Sequence, residues 1–192
     1  PAPGVVTARR LVTAFALAFA LAHAPFLAGS LEDIDSVNFA LGLRDFNVAE
    51  HRPHPPGYPV YMALGKTAAA VTGLVNSGSP SSVEARALAW LSLLSGMAAF
   101  PLLYLVAANL AGRREAAPAL DVTALAAAVM TAACPLFWYL AARPMSDLPG
   151  LAVALAAQAC LVLAWARQAP GPGGDRRLAP AAMSASGRMI VA

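Results

Sequence analysis

Three carboxylates fall within four residues, Glu32, Asp33 and Asp35, in the run Gly29-Ser30-Leu31-Glu32-Asp33-Ile34-Asp35-Ser36. They follow directly on an apolar stretch, Leu11 to Leu27, so they lie near the lipid headgroups if that stretch crosses a bilayer. A carboxylate placed there can take the proton from a hydroxyl as its oxygen attacks, or hold a divalent cation through oxygen ligands. Asp33-x-Asp35 alone is an ordinary pattern of solvated loops; its position at the end of an apolar run gives it weight. Asp35 also has a structural reading. With Ser36 it opens a helical pattern, where a side-chain oxygen caps free backbone N–H groups. On that reading Asp33 caps nothing.

A second group of residues follows in His51-Arg52-Pro53-His54-Pro55-Pro56-Gly57-Tyr58-Pro59. Each proline fixes its own φ and keeps the preceding residue out of the helical region. Gly57 permits a sharp bend. Stiffness here serves either as a rigid entry into the next helix or as a means of holding His54 and Tyr58 toward the acidic stretch. Fixed cations stabilise developing negative charge more strongly where water is scarce. Arg143, Arg52, His54 and Lys66 are the candidates, and Arg143 is preferred because it follows an apolar run and precedes Asp147 by four residues. Arg143 could equally snorkel at a helix end, and Lys66 could anchor a helix among anionic lipids.

The elements that position these residues are membrane elements. Of 192 residues 59% are hydrophobic and 12% charged, against roughly 45–50% and about 25% in soluble domains. The +3 formal charge is not clustered with aromatics, which excludes a nucleic-acid surface. A span needs about 20 apolar residues. Residues 11–27, 87–111, 122–142 and 148–166 supply four, giving an all-α polytopic membrane protein. Residues 57–75 are apolar but interrupted by Lys66. The positive-inside rule places Arg9-Arg10, Arg113-Arg114, Arg167 and Arg176-Arg177 on one side only if 57–75 lies on the membrane surface. Glu32, Asp33, Asp35 and Asp147 then share the external face. Phe39, Leu43 and Phe46 recur at helical spacing, predicting an interfacial helix over 36–46 that rests on the bilayer. His23, inside the first span, reads as packing. Trp90, Trp138 and Tyr139 read as interfacial anchors. Cys134 and Cys160 read as small core residues. At about 1.5 Å rise per residue their depths differ by roughly 9 Å, too far for a disulfide. Residues 168–192 form a Pro/Gly-rich cytoplasmic tail.

The order span, Asp35-Ser36, amphipathic helix, His54-Pro55-Pro56-Gly57-Tyr58-Pro59, Leu64-Gly65 resembles the start of the GT-C membrane glycosyltransferases. Nearest are the protein O-mannosyltransferase and aminoarabinose transferase type and the related bacterial family-39-like enzymes. Glu84-Ala85-Arg86-Ala87, Gly112-Arg113-Arg114, Pro135-Leu136-Phe137-Trp138 and Ala142-Arg143-Pro144-Met145-Ser146-Asp147 continue the likeness over about residues 10–167. The resemblance implies an N-terminal portion of a longer enzyme in a bacterial cytoplasmic membrane with an external active site. It also implies a polyprenyl-phosphate sugar donor and an acceptor that is a protein, glycan or lipid. Its acidic pair maps best onto Asp35, as base or acceptor-site residue; the pair here is Asp-Ser where relatives have Asp-Glu, which leaves Asp33 as a competitor. Its second Asp maps onto Asp147. A divalent cation is left open as cofactor. Two other classes compete with an enzyme. A non-catalytic membrane subunit or inactive fragment would share the spans. A transporter would place ionisable groups mid-membrane, whereas these gather at one face.

Overall fold

A computed structural model describes the backbone of residues 3–110 and 120–168 and the side chains of 8–110 and 120–167. The basic pairs Arg113-Arg114 and Arg176-Arg177 and the tail from 169 onward lie outside the described residues. The described chain is helical, without a named strand: α1 (Pro3–His23), α2 (Ile34–Arg44), α3 (Pro59–Val75), α4 (Pro80–Leu110), α5 (Val122–Ala132), α6 (Pro135–Ala141) and α7 (Asp147–Gln168).

Small residues allow the helices to approach closely, as membrane interfaces favour. Ala85, Ala87, Ala89, Ala99, Ala128 and Ala141 are fully buried. The long helix α4 is the spine. Phe15 of α1 stacks on Phe100 with ring centroids 6.0 Å apart. A Cβ on Gly96 would lie 3.1 Å from Leu148 and 3.2 Å from Phe19. So α1 runs antiparallel to α4, and α1, α6 and α7 converge where Gly96 leaves room. The other end of α4 belongs to α3. A Cβ on Gly65 would meet Leu88 at 3.0 Å, and one on Gly73 would meet Val83 at 3.9 Å. Thus α3 packs antiparallel against the first turns of α4, beyond the point where α7 begins.

Two helices among the described residues, Pro80–Leu110 and Asp147–Arg167, are long and apolar enough to cross a membrane; a bent pair makes a third if it is one span. That pair corrects the uninterrupted span expected over 122–142. Helices α5 and α6 meet at 64°. The cause is local: Pro135 opens α6 and has no N–H to continue the ladder, and Cys134 before it is extended, φ −61° and ψ 132°.

Two further expectations need correction. Cys134 and Cys160 are free, and both are exposed rather than in the core. Of the apolar face expected to rest α2 on the bilayer, Phe39 and Leu43 are turned inward, while Phe46 lies past the helix end and is exposed. Phe39 is buried against Tyr61, Met62 and Leu88, with Leu43 packed beside them. The exposed apolar residues of α2 are Ile34, Val37 and Leu41, spaced to form one stripe. Tertiary packing took the larger ring, leaving the aliphatic stripe outside.

Candidate functional site

Helix α2 starts two residues earlier than its apolar spacing predicts, and the reason is its cap. The Asp33 carboxylate accepts a 2.8 Å hydrogen bond from the Ser36 N–H, while Ser36 Oγ lies 3.3 Å from the Asp33 N–H. This reciprocal box satisfies two free donors at the helix start. It makes Asp33 the N-cap and corrects the assignment of that duty to Asp35. Asp35 sits in the first turn, where a negative charge also suits the helix dipole.

Asp35 and Phe39 are four residues apart and so share a face of α2. The proline loop packs onto that face. Phe39 carries His54 at 5.5 Å, Tyr58 at 5.3 Å and Tyr61 at 4.9 Å between ring centroids, the two tyrosines edge-on. His54 in turn meets Tyr58 at 5.2 Å. This brings His54 Nδ1 to 3.8 Å from the Asp35 carboxylate.

Two features seat the loop. At Gly42 a Cβ would fall 2.7 Å from Pro53 Cδ and 2.9 Å from Met62 Sδ, so the loop rests on bare α2 backbone. Gly57 has φ +89°, and a Cβ there would lie 2.6 Å from Val48. Tyr58 follows with φ +46°, a left-handed conformation that costs a non-glycine residue roughly 1–2 kcal/mol. Packing on Phe39 offsets that strain, and strained residues held by their surroundings gather at functional sites.

Most charges in and around the loops flanking α2 are held in pairs. Arg143 contacts Glu32, and its guanidinium lies 4.9 Å over the Tyr139 ring. The preferred phosphate-binding cation is thus already engaged, by Glu32 rather than by Asp147. Arg52 pairs with Asp45 at 3.0 Å and Glu50 at 3.1 Å. Lys66 is exposed on α3. The site's best-built ion pair was not legible beforehand. Arg44 Nε and Nη2 donate to the two oxygens of Glu84 at 2.6 and 2.7 Å, tying α2 to α4. This contact raises the Arg44 pKa further above its ordinary value.

Asp147 is exposed in the first turn of α7. The neighbouring turn is fixed to α4, since Ser92 Oγ donates to the Met145 carbonyl at 2.8 Å, and to the segment between α1 and α2, since the Ala28 N–H donates to the Ala142 carbonyl at 2.9 Å. Tyr61 is only 6% exposed, and its hydroxyl has no hydrogen-bond partner among the described residues. Burial pushes its pKa far above the ordinary tyrosine range, and the charges of Asp147 and then Asp33 push it further. Sequence reasoning passed over Tyr61, although its spacing of three from Tyr58 at a helix start placed both on one side. His23 is buried, its Nδ1 2.7 Å from the Phe19 carbonyl and its ring between Phe19 and Trp138. Among the described residues, no group of three His, Cys, Asp or Glu side chains is placed to hold a metal ion.

Beside this cluster, α3 and α4 enclose an open apolar groove of about 720 Å³, lined by Leu64, Val71, Val75, Trp90 and Leu94, with Arg86 as its cation.

A family model described as Protein O-mannosyl-transferase TMEM260 N-terminal domain matches residues 47–186. That stretch takes in His54, Tyr58, Lys66, Arg143 and Asp147; Glu32, Asp33 and Asp35 precede it. The match falls on the O-mannosyltransferase side of the resemblance and not on the bacterial family-39-like side. No curated protein and no solved structure matches.

Proposed function

We propose a sugar-transfer role on one premise: the chain belongs to the protein O-mannosyl-transferase TMEM260 N-terminal domain family. It forms the membrane-embedded start of a glycosyltransferase that moves a mannosyl group from a polyprenyl-phosphate donor to a hydroxyl of an external protein acceptor. Four spans carry the site, 11–27, 87–111, the bent 122–142 and 148–166, with α2 and α3 outside them.

The observation that carries the reading is how the carboxylates divide. Glu32, Asp45, Glu50 and Glu84 are held by arginines, and Asp33 caps α2. Among the described residues Asp35 has only the 3.8 Å contact with His54, so it remains available for a substrate proton. In the step, the acceptor hydroxyl gives its proton to Asp35 while its oxygen bonds to the anomeric carbon. The bond from that carbon to the phosphate oxygen breaks, and the polyprenyl phosphate leaves with the electron pair. His54 steadies the carboxylate beforehand. The groove between α3 and α4 suits an isoprenoid chain, apolar along its walls with Arg86 to meet a phosphate. Arg86 takes the place first given to Arg143, whose charge Glu32 already balances.

The test is transfer of radiolabelled mannose from polyprenyl-phosphate mannose to a threonine-containing peptide by the full-length enzyme in membranes. Asp35→Asn is expected to lower the rate by about 10²–10⁴-fold. Transfer at the parental rate overturns the assignment of the base.

A further inference from the structure

Helix α3 leaves one face unpartnered among the described residues. Tyr61, Met62, Gly65 and Thr72 are buried, whereas Val60, Leu64, Val71, Leu74 and Val75 are exposed by 46% to 86%. Their spacings of three, four and seven place these five on one stripe. A contiguous aliphatic face of this kind marks an interaction surface, unlike apolar residues scattered singly. Leu64, Val71 and Val75 also form the α3 wall of the 720 Å³ groove, so stripe and groove are one surface.

The other wall indicates what covers it. Trp90 and Leu94 line the groove from α4. The same side of α4 continues through Ala98 and Pro101, both exposed, on a helix long and apolar enough to cross a membrane. The outer surface of such a span meets lipid, so the groove runs directly into a lipid-facing row. Length agrees with this: the 31 residues of α4 measure about 46 Å at about 1.5 Å each, against roughly 40–45 Å for a bilayer with its headgroups. The first turns of α4, and α3 beside them, therefore stand at headgroup level, where a tryptophan such as Trp90 is favoured. Charge agrees as well. Lys66 is exposed and lies about 140° round the helix from Val71, at about 100° per residue. A polar side turned away from an apolar stripe is the pattern of a helix lying in the interface. Arg86, four residues before Trp90, reaches the level of the headgroup phosphates.

We propose that α3 docks on the external leaflet through this stripe, so that the groove opens sideways into hydrocarbon and lipid chains enter it from the bilayer. The positions of the basic residues put 57–75 at the surface without giving it a face; the exposed stripe gives it one. The docking stands apart from the transferase reading, since it needs no sugar and no carboxylate.

The experiment places a bimane label on single cysteines of the full-length protein in phosphatidylcholine vesicles, after Cys134 and Cys160 are replaced. Leu64→Cys and Val71→Cys report the stripe. Lys66→Cys and Ala70→Cys sit at nearly the same heights on α3, roughly 100–160° round from them, so only direction differs. All four positions are exposed. Lipid brominated high on the acyl chain is expected to quench the first pair more than the second, and aqueous iodide to quench the second more than the first. Equal quenching of all four by brominated lipid overturns the proposal, because α3 is then surrounded by hydrocarbon. Quenching of Leu64→Cys and Val71→Cys by iodide alone overturns it, because the stripe then faces water. Protection of that pair from both quenchers also overturns it, because protein then covers the stripe.

Discussion

Arg44 and Glu84 lie 40 residues apart in the chain and meet through two parallel hydrogen bonds of 2.6 and 2.7 Å. The Glu84 side chain is only 10% exposed, while Arg44 is 49% exposed. The pair is therefore asymmetric: removing Arg44 strands a buried carboxylate, whereas removing Glu84 frees an arginine that water can reach. Arg44→Ala is expected to destabilise the fold by about 1–3 kcal/mol. Glu84→Gln, which keeps one acceptor, should cost less. Thermal unfolding in detergent checks both. Equal losses for the two variants would show that the burial difference does not matter.

Asp33 and Asp35 can be separated by stability and activity together. Asp33→Ala removes the cap and should cost about 0.5–2 kcal/mol, while Asp33→Asn should be nearly neutral, because Asn caps about as well as Asp. Asp35→Ala and Asp35→Asn should both keep the parental midpoint and lose transfer. Paired melting curves and mannosyl-transfer rates decide the matter. If Asp35→Ala melts early and Asp35→Asn transfers normally, Asp35 is a structural residue.

How much of this was legible from the residues follows from the range of the forces involved. The helical spacing of Phe39 and Leu43 and the stiffness of Pro53, Pro55, Pro56 and Pro59 are local, and they announced a helix and a rigid loop. The cap was misplaced by two residues because Asp33 and Asp35 carry the same functional group. Only the Ser36 N–H, reaching back three positions, distinguishes them. Arg44 with Glu84 and Arg143 with Glu32 depend on helix packing, and no periodicity encodes which basic residue meets which acid. The break in 122–142 was open to reading, since Pro135 stands in the middle of that run.

Topology is testable by single-cysteine labelling after Cys134 and Cys160 are replaced. Ser77→Cys at the α3–α4 turn and Ser146→Cys before α7 should both react with an impermeant reagent from the outside. Asn109→Cys at the far end of α4 should react only from the inside. The expectation rests on α3 pairing with residues 83–91 of α4 and not with the stretch that carries Phe100. Labelling of Ser77→Cys only from the inside and of Asn109→Cys from the outside would mean that α3 crosses the membrane.

Alkaline titration reports on Tyr61. Its folded pKa is raised, so the native protein holds a proton that the unfolded chain loses near pH 10. Stability from this site is complete below about pH 10 and declines as pH rises above it. Phenolate absorbance in the ordinary tyrosine range should have the same amplitude in the parent and in Tyr61→Phe while both remain folded. Above that range, the parent alone should lose stability through this group. A smaller amplitude for Tyr61→Phe near pH 10 would show that Tyr61 ionises freely.

The bare backbone at Gly42 has a consequence for how the loop and helix move. Pro53 and Met62 both press where any side chain would stand. The residues on either side, Leu41 and Leu43, are large, so α2 cannot slide by one position beneath the loop without a collision. Helix and loop are keyed like a tooth in a rack. The seat at Gly42 thus fixes the register of the helix that carries Asp35 against the loop that carries His54. A Gly42→Ala substitution would therefore leave both residues chemically intact and throw them out of register with each other.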